Sequence, residues 1–109
     1  MTALPAESGT GAVVLEVAGE VDLHSSPVLE AAIAEARASG PELLVIDLSE
    51  VSFLASIGIT ILLKASRQAA PVTRVRVVAP EHSTVARVFQ LTGVTEALGV
   101  VPARTDALP

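Results

Sequence analysis

The chain has 109 residues, enough for one buried core and too few for two, so residues 1–109 are expected to form a single domain. A net charge of −5 argues against nucleic acid as a partner, because a phosphate backbone needs a basic face, and the lack of cysteine removes disulfides, thiolate chemistry and cysteine-held zinc. Half of the residues are apolar but only Phe53 and Phe89 are aromatic, so the core has to be packed from Val, Ile, Leu and Ala.

Residues 1–11 lack the basic patch and apolar stretch of an export signal, and their Pro, Gly and Ser suit a loop or a short edge strand. No apolar run approaches the roughly 20 residues that cross a bilayer, so membrane insertion is not expected and the cytoplasm is the default location. From Ala12 to Val21 the side chains alternate, with Val13, Leu15 and Val17 against Val14, Glu16 and Ala18, as in a half-buried strand. The period then changes. Ser26 is placed to cap a helix, Pro27 suits a first helical position, and Val28, Leu29, Ala32, Ile33 and Ala36 recur at helical spacing until Gly40-Pro41. Leu43 to Ile46 is a continuous apolar run ending at Asp47, which predicts a strand buried on both faces. Leu48 to Ala55 reads as a loop, with Ser49 and Ser52 as turn residues.

Ser56 to Ala70 contains no proline and closes with Lys64 and Arg67, cations suited to the negative end of a helix dipole. Thr73 to Ala79 alternates Val75 and Val77 with Arg74 and Arg76, a strand with one wet face nearer an edge, and Pro80 ends it. Ser83 or Thr84 is placed to cap a third helix carrying Val85, Val88, Phe89 and Thr92 on one stripe and ending at Gly93. A short strand at Gly99–Val101 and a tail over 102–109 complete the chain. Alternating strands and helices imply an α/β layer with right-handed crossovers.

The candidates for chemistry are Glu20, Asp22, His24, Asp47, Ser56 and His82, and they do not assemble into a catalytic or metal-ligating pattern. His24 and His82 sit in polar loops without ligand spacing, Ser56 lacks the Gly-x-Ser-x-Gly elbow, and no glycine-rich phosphate loop is present, so no cofactor is expected. Asp47 ends a predicted strand, where a receiver domain carries its phosphoryl acceptor. The acidic pair that would hold magnesium is missing, however, and the last lysine is Lys64. A loop-forming aspartate bonding nearby amides is the plainer reading.

Three segments resemble the STAS domain of bacterial anti-sigma factor antagonists: GEVDLHSSP, IDLSEVSFLASIGITILL and VARVFQLTGVTEALGVV, in order and at matching spacing across residues 12–101. The resemblance implies an α/β domain with a small mixed sheet of four to five strands packed with three to four helices. It implies a non-catalytic module, monomeric or weakly dimeric, that binds an anti-sigma factor which is also a serine kinase. Phosphorylation of a serine at the start of the second helix silences it and a serine phosphatase restores it; that serine would be Ser56. The common family pattern there is Asp-Ser-Ser/Thr-Gly, whereas this chain reads Ala55-Ser56-Ile57-Gly58, without the acid and the second hydroxyl. A non-switching STAS adaptor in a transport or stress-signalling complex is the alternative.

A serine at a helix start serves either as a cap for orphan amides or as a phosphate position, since the same amides and the dipole favour an anion. Leu54, Ile57 and Ile61 are expected to offer an apolar docking patch beside it, with Ile61 equally suited to the core. Ala55 and Gly58 would belong to the same contact surface, or Gly58 to tight packing on the sheet. Glu20 and Asp22 would form a polar rim, or a solvated loop.

Overall fold

The structure is a computed structural model that describes residues 1–7 and 11–109. Five strands form one sheet in the order β1-β2-β3-β4-β5: β1 (Thr2–Glu7), β2 (Ala12–Val21), β3 (Leu43–Leu54), β4 (Arg74–Val78) and β5 (Val100–Val101). The edge strand β1 runs antiparallel to β2, and the remaining neighbours are parallel. Helices α1 (Ser26–Arg37), α2 (Ser56–Ala69) and α3 (Thr84–Thr92) make the connections between the parallel strands, and a short α4 (Arg104–Ala107) follows β5. This is the mixed α/β sheet expected from the sequence. Pro5 fits β1 because an edge strand leaves one row of backbone amides without a ladder. Residues 8–10 of the predicted N-terminal segment lie outside the described residues.

The central strand distributes the core. Leu44, Ile46 and Leu48 pack on one face with Leu29 and Ile33 of α1, Leu62 and Ala65 of α2, and Val85 and Phe89 of α3. Leu43 and Val45, one residue out of phase, pack on the other face with Ala12, Val14, Val78 and Ala107. This alternation is the period of two, and it makes the continuous apolar run a strand covered on both sides.

Three boundaries depart from the sequence reading. The predicted loop over Leu48–Ala55 is mostly strand, because β2 and β3 stay paired to Val21↔Leu54 through register shifts between Glu16 and Ala18 and between Gly19 and Glu20. Bulges break the clean alternation that a sequence reading follows, so Asp47 lies within β3 rather than at its end, and Ser49 and Ser52 are strand residues rather than turn residues. Ser26 does not cap α1 but begins it and is buried, its hydroxyl donating to the Leu23 carbonyl at 3.1 Å. The predicted tail at 102–109 holds α4, which docks Ala107 on the second face of the sheet. At α3 the expectation and the structure agree: Ser83 accepts from the Ala86 amide at 3.1 Å, and Gly93 ends the helix at φ 73°. No helix among the described residues is long and apolar enough to cross a membrane.

Candidate functional site

Parallel strands that each lead into a helix gather the helix starts at one edge of the sheet. Here that edge holds the β2–α1 turn, the β3–α2 junction and the β4–α3 loop. The junction is held by the Ala55 amide, which donates to the Val21 carbonyl at 2.8 Å and continues the β2–β3 pairing by one residue. Ala55 takes the cap position in extended geometry (φ −79°, ψ 164°) and has no side chain to cap with, so Ser56 is the first helical residue. Ser56 is exposed, its carbonyl accepts from the Thr60 hydroxyl at 3.2 Å, and its own hydroxyl has no hydrogen-bond partner among the described residues. A capping role for the Ser56 side chain is therefore not what the helix uses.

The neighbours sort differently from expectation. Leu54 and Ile61 are 4% and 6% exposed and belong to the main core, so neither offers side-chain surface to a partner. Leu54 points inward because it is opposite Val21, itself fully buried. Gly58 is also buried: a Cβ at that position would stand 2.5 Å from Leu54 Cδ1 and 2.9 Å from Val21 Cγ1. The glycine thus lets α2 approach β2 and β3, and of its two readings the packing one accounts for it. Ile57 is half-buried and packs against the core, and Ala55 is half-buried.

The apolar surface at this edge comes from residues that the sequence reading did not single out. Phe53 is 46% exposed and Leu23 is 77% exposed. Phe53 lies opposite Glu20 in the β2–β3 register, one residue out of phase with the buried Leu54. A strand boundary drawn at Asp47 hid that phase. Glu20 is exposed and its carbonyl accepts from the Ser25 hydroxyl at 2.9 Å. The Asp22 carboxylate is committed to the turn: it accepts the Ser25 amide at 2.8 Å while the Ser25 hydroxyl accepts the Asp22 amide at 3.0 Å. The Ser25 amide and hydroxyl hold the Asp22 carboxyl below the usual carboxylate range. Asp22 thus organises the entry to α1.

Asp47 stands on the other face of the sheet, opposite Glu16. Arg104 of α4 donates to Asp47 through Nε at 3.1 Å and Nη2 at 2.8 Å, and to Glu16 at 2.8 Å. The Ser49 amide and hydroxyl complete the shell around Asp47. Burial works to raise the Asp47 carboxyl, but Ser49 and the Arg104 guanidinium outweigh it and hold the group below its ordinary value. Each of its oxygens has a donor, which is the arrangement of a structural anchor rather than of a phosphoryl acceptor open to attack. The partner of Asp47, Arg104, lies 57 positions along the chain, and no local pattern announces it.

Residues 6–102 match the family model described as "Mlab, STAS domain". The anti-sigma-F factor antagonist RsfB of Mycobacterium tuberculosis is 39% identical over 98 residues, covering 90% of this chain and 80% of that protein. The crystal structure of an anti-sigma factor antagonist from Mycobacterium paratuberculosis superposes with a TM-score of 0.89 at 38% identity, over 97% of this chain and 89% of that one. The Bacillus cell fate determinant SpoIIAA in its phosphorylated form shares the fold, with a TM-score of 0.67 at 22% identity over 97% of this chain and 96% of that one.

Proposed function

The chain belongs to the STAS domain family, and we propose that it is an anti-sigma factor antagonist: a non-catalytic cytoplasmic module that binds an anti-sigma factor and so frees a sigma factor. The anti-sigma factor is also a serine kinase that modifies Ser56, and a serine phosphatase reverses the modification. The observation that carries this reading is an exposed hydroxyl at the first position of α2, engaged by no other described residue, in a chain 38–39% identical to proteins named as antagonists.

The chemistry follows from position. A phosphate on Ser56 meets the free amides and positive end of α2, worth about 0.3–1 kcal/mol, so the fold tolerates it. The flanking loops carry Asp22 and His24 on one side and Glu81 and His82 on the other, and neither loop contains a lysine or arginine. The added charge therefore faces the partner. Phe53, Leu23 and the exposed part of Ile57 supply the apolar contact, Ala55 lets the partner close on the backbone, and Glu20 stands at the rim. Desolvating nearly two negative charges in that contact at a cost of roughly 3 kcal/mol weakens binding by about two orders of magnitude. Leu54 and Gly58 support the surface from beneath.

The test is incubation with the cognate kinase and ATP followed by phosphosite mapping. Acid-stable phosphate on Ser56, lost in Ser56→Ala, together with weakened kinase binding by Ser56→Glu, is the expected result. Phosphate on another residue, or tight binding by Ser56→Glu, refutes the switch. Ala55 and Ile57, in place of an acid and a second hydroxyl, favour one further reading, a non-switching adaptor; its mark is partner binding with no phosphate on the chain.

A further inference from the structure

The two faces of the sheet are covered unequally. Helices α1, α2 and α3 all pack on the face of Leu44, Ile46 and Leu48, whereas the opposite face carries the four-residue α4, with Ala107 packed among Leu43, Val45 and Val78. Strands in parallel pairing are ordinarily covered on both sides. Beyond Asp47, towards the carboxyl ends of β2 and β3, the second face is open, and Glu16, Glu20, Glu50 and Phe53 are exposed there.

The register fixes what this open area presents. Glu16 lies on the second face, since Arg104 of α4 holds it together with Asp47, while Val17 and Val21 belong to the core of the helix-covered face. Leu4 is opposite Glu16, Ala18 is opposite Glu50, and Glu20 is opposite Phe53, so these side chains share the second face. Leu4, Ala18 and Phe53 thus stand on successive strands and in successive rows, a diagonal apolar line across β1, β2 and β3. With neighbouring strands about 4.8 Å apart and alternate residues about 6.8 Å apart, the line is roughly 17 Å long. Its ends are prominent, Leu4 being 63% and Phe53 46% exposed. Glu16 and Glu50 flank it on one side and Glu20 on the other. Among the described residues Glu20 and Glu50 form no ion pair, and Arg104 is already held by Asp47 and Glu16. The other arginines of this face, Arg74 and Arg76, stand opposite Leu43 and Val45 at the amino end of β4.

We propose that this open area docks an amphipathic helix of a partner protein, its apolar stripe laid along Leu4, Ala18 and Phe53 and its lysines or arginines facing the glutamates on both flanks. Three turns of helix span about 16 Å, the length of the line. Ala18 at the middle lets the helix come close to the sheet, and Leu4 and Phe53 at the ends each meet a different turn. Apolar contact gives affinity, and carboxylates on either side select a basic helix over an acidic one. Phe53 is shared with the proposed anti-sigma factor contact. Leu4, Ala18 and Glu50 lie outside that contact and Ser56 takes no part, so this surface stands or falls without the switch.

The experiment uses the whole chain, without kinase, and a fluorescein-labelled peptide of two Leu-Lys-Lys-Leu-Leu-Lys-Leu repeats, followed by anisotropy and by amide chemical shifts. The expected result is salt-sensitive binding that shifts the amides of Leu4, Ala18, Glu50 and Phe53, with no binding by the peptide carrying Glu in place of Lys. The same residues in strict Leu-Lys alternation, which form no apolar helical stripe, should bind at least about tenfold more weakly. So should the original peptide to L4S/E50K. Both positions are exposed, and if the double variant fails to fold, L4S and E50K singly should each weaken binding by about threefold. No binding, equal binding by the acidic or alternating peptide or by the folded variants, or shifts confined to α1, α2 and α3 would overturn the proposal. So would a dimer in sedimentation that the peptide fails to dissociate and that L4S/E50K abolishes, since a second copy would then cover this face.

Discussion

Replacing Gly58 with alanine tests whether the glycine serves packing or contact. The helix itself gains up to about 1 kcal/mol, because glycine is the poorer helix former by that amount. Against this, the new methyl would stand 2.5 Å from Leu54 Cδ1 and 2.9 Å from Val21 Cγ1, inside van der Waals contact with two side chains that are 4% and 0% exposed. Leu54 has rotamers to yield with, but Val21 is β-branched, stiff at χ1 and paired in β2, so the strain falls on the α2–sheet spacing. Overpacking of this kind costs about 1–3 kcal/mol. The net expectation is a chain less stable by about 1 kcal/mol, with its melting temperature lower by roughly 4–8 °C. Urea denaturation monitored by circular dichroism should show a lower midpoint with an unchanged slope. A Gly58→Ala chain as stable as the parent, but defective in binding the anti-sigma factor, would refute the packing account and return Gly58 to the contact surface.

Arg104→Met leaves the Asp47 carboxylate on Ser49 alone and should cost about 1–3 kcal/mol in urea denaturation; an unchanged midpoint would make the ion pair ornamental. The lowered Asp47 carboxyl contributes stability that is fully present above its unfolded value near 3.9 and is lost as pH falls through the folded value. The parent should therefore be more stable than Asp47→Asn from pH 7 to 5, and the two curves should converge in acid; parallel curves would contradict the assignment. Ser83→Ala removes a cap bond and should cost about 1 kcal/mol, whereas Ser56→Ala should change stability by less than about 0.5 kcal/mol, a contrast read in one thermal-melt series. Phe53→Ala should leave the melting temperature nearly unchanged and weaken anti-sigma factor binding by about tenfold or more, as measured by calorimetry; unaltered affinity would remove Phe53 from the contact.

The sequence made the elements with a steady period legible. Ala12–Val21, the apolar run from Leu43, the helix from Ser56 and the Ser83–Gly93 helix all follow from alternation, caps and breakers, because those signals lie within a few neighbouring residues. What escaped was set by pairing across the chain. The second half of β3 exists because β2 continues beside it through two register shifts, and a bulged ladder leaves an irregular pattern of inward and outward residues. The exposure of Leu54 was misassigned and that of Phe53 overlooked for that reason: neighbours in sequence, they differ by which faces Val21 and which faces Glu20. Likewise α4 spans four residues, too short for a helical period, and is fixed by Ala107 on the sheet and by Arg104 on Asp47 and Glu16.

Two serines at helix starts illustrate why the position of a hydroxyl matters more than its presence in a motif. Ser83 occupies the cap of α3 and its oxygen is already used by the Ala86 amide, so a phosphate there would displace a bond on which the helix depends. Ser56 is one residue inside α2, after a cap residue without a polar side chain, and its oxygen is not part of the helix's own bonding. Charge added to Ser56 thus leaves the domain's folding energy nearly untouched, and its effect appears at whatever surface closes over the helix start. The same separation explains the shape of the junction. The extension of β3 beyond Asp47 carries Leu54 into the core and Phe53 out of it, so the strand that fixes the helix start also presents the apolar contact beside it. A shorter β3 ending at Asp47 would leave both the hydroxyl and the contact on a loop, where neither is held at a fixed distance from the other.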